Sequence, residues 1–323
     1  MNKAIYIATS EEDSGKSIIT LGLMSMLIGK TAKVGYFRPI VEDFEDGNLD
    51  NHIETVINHF GLDISYNDAY AIKKSRLIKK KNKGKLGEVI DLIIEKYKKL
   101  EEQFDFVLVE GTSFTGEGTV IEMDMNVQIA KNLGIPTIIV GSGVGKTLDE
   151  LVDSLCLAYD SYKLKEVEVL AVIANKVQPE NLELSTAGLK KNLPNGVLVN
   201  SIPMVSTLNN TTIQEVVNTL DAKVLFGEAY LNNQISSFSV GAMQLRNYLN
   251  HLREDGLVIT PGDRADIILG ALQANESVNY PSISGIVLTG NIIPEDTILK
   301  LIEGLSPVVP IIAVKEGTYV IAN

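Results

Sequence analysis

Gly15-Lys16-Ser17 is the stretch of this chain best equipped for chemistry. It closes a loop, Ser10-Glu-Glu-Asp-Ser-Gly-Lys-Ser17, that fits the end of G-x-x-x-x-G-K-[ST]. In that motif backbone N–H groups cradle phosphates, the lysine reaches the outer phosphates and the hydroxyl ligates Mg²⁺. The first motif position is Ser10, where the motif has glycine. Ser10, Ser14, Gly15, Lys16 and Ser17 are thus the expected phosphate-binding residues, with Ser17 also a metal ligand. Glu11, Glu12 and Asp13 oppose that chemistry. Each charge within roughly 4 to 6 Å of a phosphate would cost on the order of a kcal/mol or more at an effective dielectric near 20, unless Mg²⁺ or an outward rotamer relieves it. The expectation is weak binding.

Other candidates lie where strands should end. Ala32 to Pro39 reads as a strand with Arg38 at its carboxyl end, where α/β sheets keep ligands. An acidic loop from Glu42 to Asp50 follows, then a helix from about His52 to Phe60. Phe104 to Glu110 is a hydrophobic run ending in an acid, the Walker B pattern, although a strand-final glutamate also has a lesser reading as a helix-capping or solvent residue. Gly141-Ser-Gly-Val-Gly-Lys146-Thr147 imitates a second phosphate loop but is one residue short, because position 140 is valine. It reads better as a tight strand-to-helix turn. Val167 to Ala174 forms the next strand and ends in Asn175-Lys176, an asparagine placed either to read an adenine edge or to make an ordinary turn.

These residues need a scaffold of alternating strands and helices. The pattern implies an α/β fold with a doubly wound, mostly parallel sheet of P-loop type. This first domain spans residues 1–226 and closes with a helix, Thr212 to Leu220, and an extended piece at Val224 to Phe226. A boundary is expected at Gly227 to Gln234. Residues 235–323 read as a smaller α/β unit with sharp turns at Pro261-Gly-Asp-Arg264 and Thr289-Gly-Asn291, Asp263 being the expected N-cap. Such turns could hold a small anion or simply start capped helices. The chain stops a few residues after a strand, without a closing helix, which suggests a truncated chain or a boundary before another domain.

The 323 residues suit two domains, and 45% hydrophobic with 22% charged residues suits packed cores. A net charge of −12 argues against nucleic acid or an anionic membrane as the main partner. The exception is Lys73 to Lys85, eight cations expected to form a solvated loop between helices. Cys156, the single cysteine, excludes an internal disulfide, fits a reducing compartment and falls in an amphipathic helix, Leu148 to Tyr162. His52, His59 and His251 lack partners at metal-ligand spacing. With neither a signal peptide nor an apolar run long enough to span a bilayer, a cytoplasmic location is expected.

The first domain resembles dethiobiotin synthetase and its relatives, whose loop has the form T-D-T-x-x-G-K-T, matched by Ser10, Glu11, Glu12, Gly15, Lys16 and Ser17. Arg38 before Pro39 stands for the family's lysine before proline, Asp50 and Glu110 for its metal-binding acids, and Asn175 for its purine-reading asparagine. The resemblance implies ATP, or another nucleotide, with Mg²⁺ held by Ser17, Asp50 and Glu110. The glycine stretch that binds substrate after the glutamate is not kept at Thr112-Ser-Phe114. The second domain resembles the DRTGG domain at Ile259-Thr-Pro-Gly-Asp-Arg-Ala-Asp266 and Gly285 to Gly290. The two together resemble the N-terminal half of long bacterial phosphate acetyltransferases. This implies a regulatory and oligomerisation region that senses a nucleotide or small-molecule effector, forms a homo-oligomer and precedes a C-terminal acetyltransferase domain on the same polypeptide. That absent domain would carry the transfer between acetyl-CoA and phosphate, so no catalytic residue is expected here. A working ATP-dependent ligase and a free-standing binding module are the alternatives.

Overall fold

A computed structural model of the chain describes residues 3–11, 13–30, 33–43, 49–112, 119–205, 208, 210–305 and 309–322, with backbone alone for 119–123. Two compact units divide it, Met1–Met204 and Val205–Asn323.

In the first unit the elements run β1 (Ala4–Thr9), α1 (Lys16–Ile28), β2 (Val34–Val41), α2 (Asn51–Phe60), β3 (Tyr70–Lys73), α3 (Lys74–Asn82), α4 (Leu86–Gln103) and β4 (Phe106–Glu110). They continue with α5 (Thr119–Leu133), β5 (Thr137–Ser142), α6 (Leu148–Leu164), β6 (Val169–Val177), α7 (Leu182–Asn192) and β7 (Leu198–Pro203). The seven strands pair in the order β3-β2-β4-β1-β5-β6-β7, all parallel. Strands β1, β4 and β5 are nearly continuous apolar runs because helices cover both faces. On one face Met24 of α1 and Ile53 and Val56 of α2 meet Ile7, Tyr36 and Leu108. On the other, Val89, Ile93, Tyr97 and Leu100 recur at helical spacing along α4 and join Leu151, Leu155 and Ala158 of α6. This is the doubly wound α/β fold, and it puts the loop after β1 at the centre of the sheet's carboxyl edge.

The second strand runs through Pro39 rather than ending there. Arg38 N–H donates to the Ala69 carbonyl on the β3 side, at 2.8 Å. Pro39 therefore faces the β4 side, where the pairing ends at Phe37 and Val109, and its missing N–H costs no ladder bond. The basic run is not a loop: Lys74–Asn82 is helical, with Leu77 buried beneath its lysines. Lysine and arginine are good helix formers, and one apolar anchor suffices when the other face stays in water.

The second unit contains β8 (Thr211–Thr212), α8 (Ile213–Leu220), β9 (Lys223–Phe226), β10 (Gln234–Ile235), β11 (Ser237–Val240), α9 (Leu245–Tyr248) and β12 (Gly256–Pro261). Then come α10 (Ala265–Asn275), β13 (Ile283–Thr289), α11 (Asp296–Glu303), β14 (Ile311–Ala313) and α12 (Thr318–Ile321). Its five-stranded sheet has the order β11-β12-β13-β14-β9, parallel except for antiparallel β9. Of the stretch assigned to the first domain from the sequence, Val205 to Phe226 falls in this unit. Strand β9 pairs Phe226 with Ile311 and Val224 with Ile312, and Ile213 of α8 is buried with Leu257, Val287 and Ile312. A pairing nearly ninety residues apart leaves no local trace. The last strand is followed by the short α12 rather than by no helix at all.

Candidate functional site

Register assembles the first site. Ile7 pairs with Glu110 across β1 and β4, and Tyr36 pairs with Leu108 across β2 and β4, so Arg38 comes level with Glu110. Tyr36 and Arg38, two residues apart, point to one face. The Tyr36 hydroxyl donates to Glu110 Oε2 at 2.7 Å, and Arg38 Nη1 lies 3.7 Å from Glu110 Oε1 and 3.4 Å from Asp50 Oδ1. Lys16 Nζ is 3.9 Å from Glu110 Oε1 and also donates to the Gly111 carbonyl. His52 Nδ1 sits 3.6 Å from Glu110 Oε1 and 2.8 Å from Ser17 Oγ. Lys16, Arg38, Asp50 and Glu110 are all buried, a two-plus, two-minus cluster without net charge.

Burial pushes the Glu110 carboxyl up, but Lys16, Arg38 and His52, with the Tyr36 hydroxyl, outweigh it and hold the group below its ordinary value. Burial alone would lower Arg38, yet Glu110, Tyr36 and Asp50 raise it. Tyr36 is raised by burial first and then by Glu110. His52 is lowered by burial and by the Arg38 cation, so its neutral form is favoured near pH 7.

Asp50, expected as a metal ligand, is engaged within the chain. Its carboxylate caps α2, accepting from His52 N at 3.0 Å and Ile53 N at 3.2 Å, while it also meets Arg38. Asn175, the expected purine reader, has a partner inside the chain. Its Nδ2 donates to the Ser14 carbonyl at 2.8 Å and braces the phosphate loop. That contact is tight: Gly15 sits at φ 77°, and a Cβ there would lie 2.3 Å from Asn175 Nδ2. Ser14 is buried, and Ser10 N–H donates to the Val140 carbonyl at 3.1 Å.

The loop acids behave differently from a uniform negative patch. Glu11 turns toward the imitation loop after β5, where Lys146 Nζ meets Oε1 at 2.5 Å and Oε2 at 2.6 Å and Ser142 N–H donates at 2.9 Å. The shortened loop therefore supplies a counter-cation, and its Thr147 and Glu150 form a capping box for α6. Asp13 is exposed at φ 50°. Glu12 lies outside the described residues.

Two cavities adjoin this cluster. One of about 380 Å³ is lined by the loop from Asp13 to Ser17 with Arg38, Asp50, His52 and Lys176. A second of about 220 Å³ is bordered by Ser17, His52, Thr55 and Glu110. Glu110 Oε1 is buried and accepts no hydrogen bond. A buried carboxylate oxygen beside a serine hydroxyl suits Mg²⁺, so Ser17 and Glu110 fit a metal, whereas one Asp50 oxygen is already engaged by two amides and Arg38. Among the described residues no group of three His, Cys, Asp or Glu could hold a metal alone. A Mg²⁺ here would need oxygens from its ligand.

In the second unit Arg264, from the expected anion-binding turn, is engaged internally. Its Nε and Nη2 form a two-pronged pair with Asp266 at 2.8 and 2.9 Å, and it donates to the carbonyls of Gly241 and Met243. The residue at the N-cap of α10 is Arg264 rather than Asp263, with no side-chain cap bond. Gly262 explains the sharp turn, since a Cβ there would fall 1.7 Å from the Ile292 carbonyl oxygen.

His52, Tyr36, Lys146 and Lys176 were missed as site residues by sequence reasoning. His52 had a signal, standing two places after the capping acid in the first turn of α2. Lys146 had one in its Gly-Lys-Thr triplet.

The profile of the AAA domain family matches residues 3–212 and that of the DRTGG domain matches residues 215–323. The chain belongs to this AAA domain family of P-loop folds, with a DRTGG domain after it. Phosphate acetyltransferase of Synechocystis sp. is 37% identical over 321 residues, which is 99% of this chain and 46% of that protein. Phosphate acetyltransferase of Nitratidesulfovibrio vulgaris is 38% identical over 324 residues, again 99% of this chain and 46% of the relative. The chain thus spans just under half the length of the curated relatives it matches. A solved apo-form GTPase from Pyrococcus abyssi superimposes with a TM-score of 0.38 at 14% identity, over 62% of this chain and 90% of that one. No helix among the described residues is long and apolar enough to cross a membrane.

Proposed function

We propose that this chain is the N-terminal regulatory region of a phosphate acetyltransferase, and that its P-loop unit binds a nucleotide, with Mg²⁺, as an effector rather than as a substrate. The observation that carries the reading is the end-to-end match, 99% of this chain, to proteins of that name of which it covers 46%. The geometry supports the second half. Lys16 is drawn to Glu110 and Gly111, Arg38 to Asp50 and Glu110, and Ser17 to His52, so the groups that would stabilise phosphoryl transfer are committed to one another. A nucleotide entering the cavity has to reorganise that cluster. An exchange of partners within a buried charge network is the kind of two-state event by which a bound ligand biases a fold.

Lys16 and the α1 N-terminus would take the phosphates, and Ser17 and Glu110 would hold Mg²⁺. The ion would shield the phosphate charge from Asp13. The C-terminal domain of the same polypeptide would transfer the acetyl group, and self-association would join the subunits.

The test is acetyl phosphate formation from acetyl-CoA and phosphate by the polypeptide of the natural reading frame, expected to run about as long again as this chain. Its rate or its apparent KM should change with ATP, and Lys16→Ala should abolish that response while leaving basal acetyl transfer in place. A reading frame that stops near Asn323, with no acetyl transfer, overturns the proposal.

A further inference from the structure

The cations around the phosphate loop are almost all matched. Lys16 and Arg38 share Glu110, and Arg38 also meets Asp50. Lys146 holds Glu11, and Lys74 meets Glu42 at 2.9 Å. Among the described residues that line the larger cavity, Lys176 is the cation with no carboxylate partner, and Asp13 is the anion with no cation. Placement sharpens the contrast. Lys176 follows Asn175, which clamps the loop at the Ser14 carbonyl, and its Cε lies 3.4 Å from where a Cβ of Gly15 would stand. The end of the stem therefore lies against Gly15, beside the cavity that Lys176 lines. Its backbone is left-handed at φ 55°, a conformation uncommon outside glycine, asparagine and aspartate and one that tends to mark functional positions. Glu110 Oε1, buried in the adjoining cluster, accepts no hydrogen bond, which leaves it able to meet a cation carried by a ligand.

We propose that Lys176 is the anion-capturing residue of this site. It meets the polyphosphate of a nucleoside di- or triphosphate as it arrives over Gly15 and offsets the charge of Asp13. A net-negative protein needs such a residue more than most, because the long-range field repels the ligand and attraction has to be local. Lys176 itself holds no carboxylate, so it has no ion pair of its own to give up when the ligand binds.

The inference rests on the reading that the loop binds a nucleotide, and the experiment separates the two. Equilibrium dialysis of Mg·ATP with the natural chain, Lys176→Met and Asp13→Asn is run in low and high KCl, with tripolyphosphate and adenosine as further probes. A unit charge at about 6 Å from a phosphate, at an effective dielectric near 40, changes affinity about tenfold. Lys176→Met should weaken Mg·ATP and tripolyphosphate by that factor and leave adenosine unchanged. Asp13→Asn should tighten both anions, the double variant should return near the natural value, and high salt should compress all these differences. Lys176→Arg should keep most of the affinity, and the unliganded Lys176→Met protein should melt within about 2 °C of the natural one. Mg·ATP binding to Lys176→Met within twofold of the natural chain overturns the inference and leaves the nucleotide reading intact. An equal loss for adenosine overturns it too, by placing the residue at the base. No saturable Mg·ATP binding to the natural chain removes the nucleotide reading, and the inference with it.

Discussion

Glu110→Gln probes the buried cluster with the smallest change of shape. The amide can still meet Tyr36, but the negative charge facing Lys16 at 3.9 Å and Arg38 at 3.7 Å disappears, leaving Asp50 alone against two buried cations. Removing one partner of a buried ion pair costs about 3 to 5 kcal/mol, because the charges left behind stay out of water. For a domain of this size each kcal/mol shifts Tm by about 2 to 4 °C, so a fall of about 6 to 20 °C is expected at pH 7. The pH dependence carries its own sign. Glu110 is depressed in the fold, so its contribution is complete above the unfolded value of about 4.3 and is lost as pH falls through the folded value. The gap between natural and variant proteins should therefore hold from about pH 5 upward and close in acid. Thermal unfolding followed by circular dichroism across that range is the assay. A variant that melts within 2 °C of the natural chain at pH 7 would refute the claim that this carboxylate organises the cluster.

His52 is depressed by burial and Arg38, so its unfolded form takes up protons first and stability should fall as pH drops below about 6.5; His52→Gln should flatten the Tm profile between about pH 6.5 and 5. Lys146→Met breaks a pair that is only partly buried, so the loss of stability should be about 1 kcal/mol or less by denaturant melts, yet releasing Glu11 toward the phosphate loop should weaken Mg·ATP measurably. Gly262→Ala forces a methyl onto the Ile292 carbonyl and should leave the second unit unfolded or insoluble, whereas Gly61→Ala, with open space but φ 60°, should cost only about 1 kcal/mol.

How much could be read from residues alone follows the range of the interactions involved. The loop between β1 and α1 was legible because an apolar run, Gly-Lys-Ser and a second apolar run are adjacent in sequence. Arg38 and Glu110 were legible for a related reason, since strand ends in a parallel sheet share one edge. The partner of Glu11 was not, because Lys146 lies 135 positions away and only the pairing of β1 with β5 brings the two together. The same holds for β9, whose four residues read as the end of one domain and pair as the edge of the next. The basic helix was hidden by its charge, as a single buried leucine gives no periodicity to detect. Arg264 shows the converse. Its position was plain in the turn, but its chemistry depended on Asp266 and two carbonyls that turned a candidate anion site into an internal tie.

The central claim, a phosphate loop that binds nucleotide to regulate rather than to react, is tested most directly by measuring Mg·ATP binding and phosphate release on the same preparation of the natural chain and its Lys16→Ala variant. Saturable binding that Lys16→Ala weakens at least tenfold, with phosphate release no faster than in the variant, is the predicted result. Robust Lys16-dependent turnover, or the same affinity in both proteins, would contradict it.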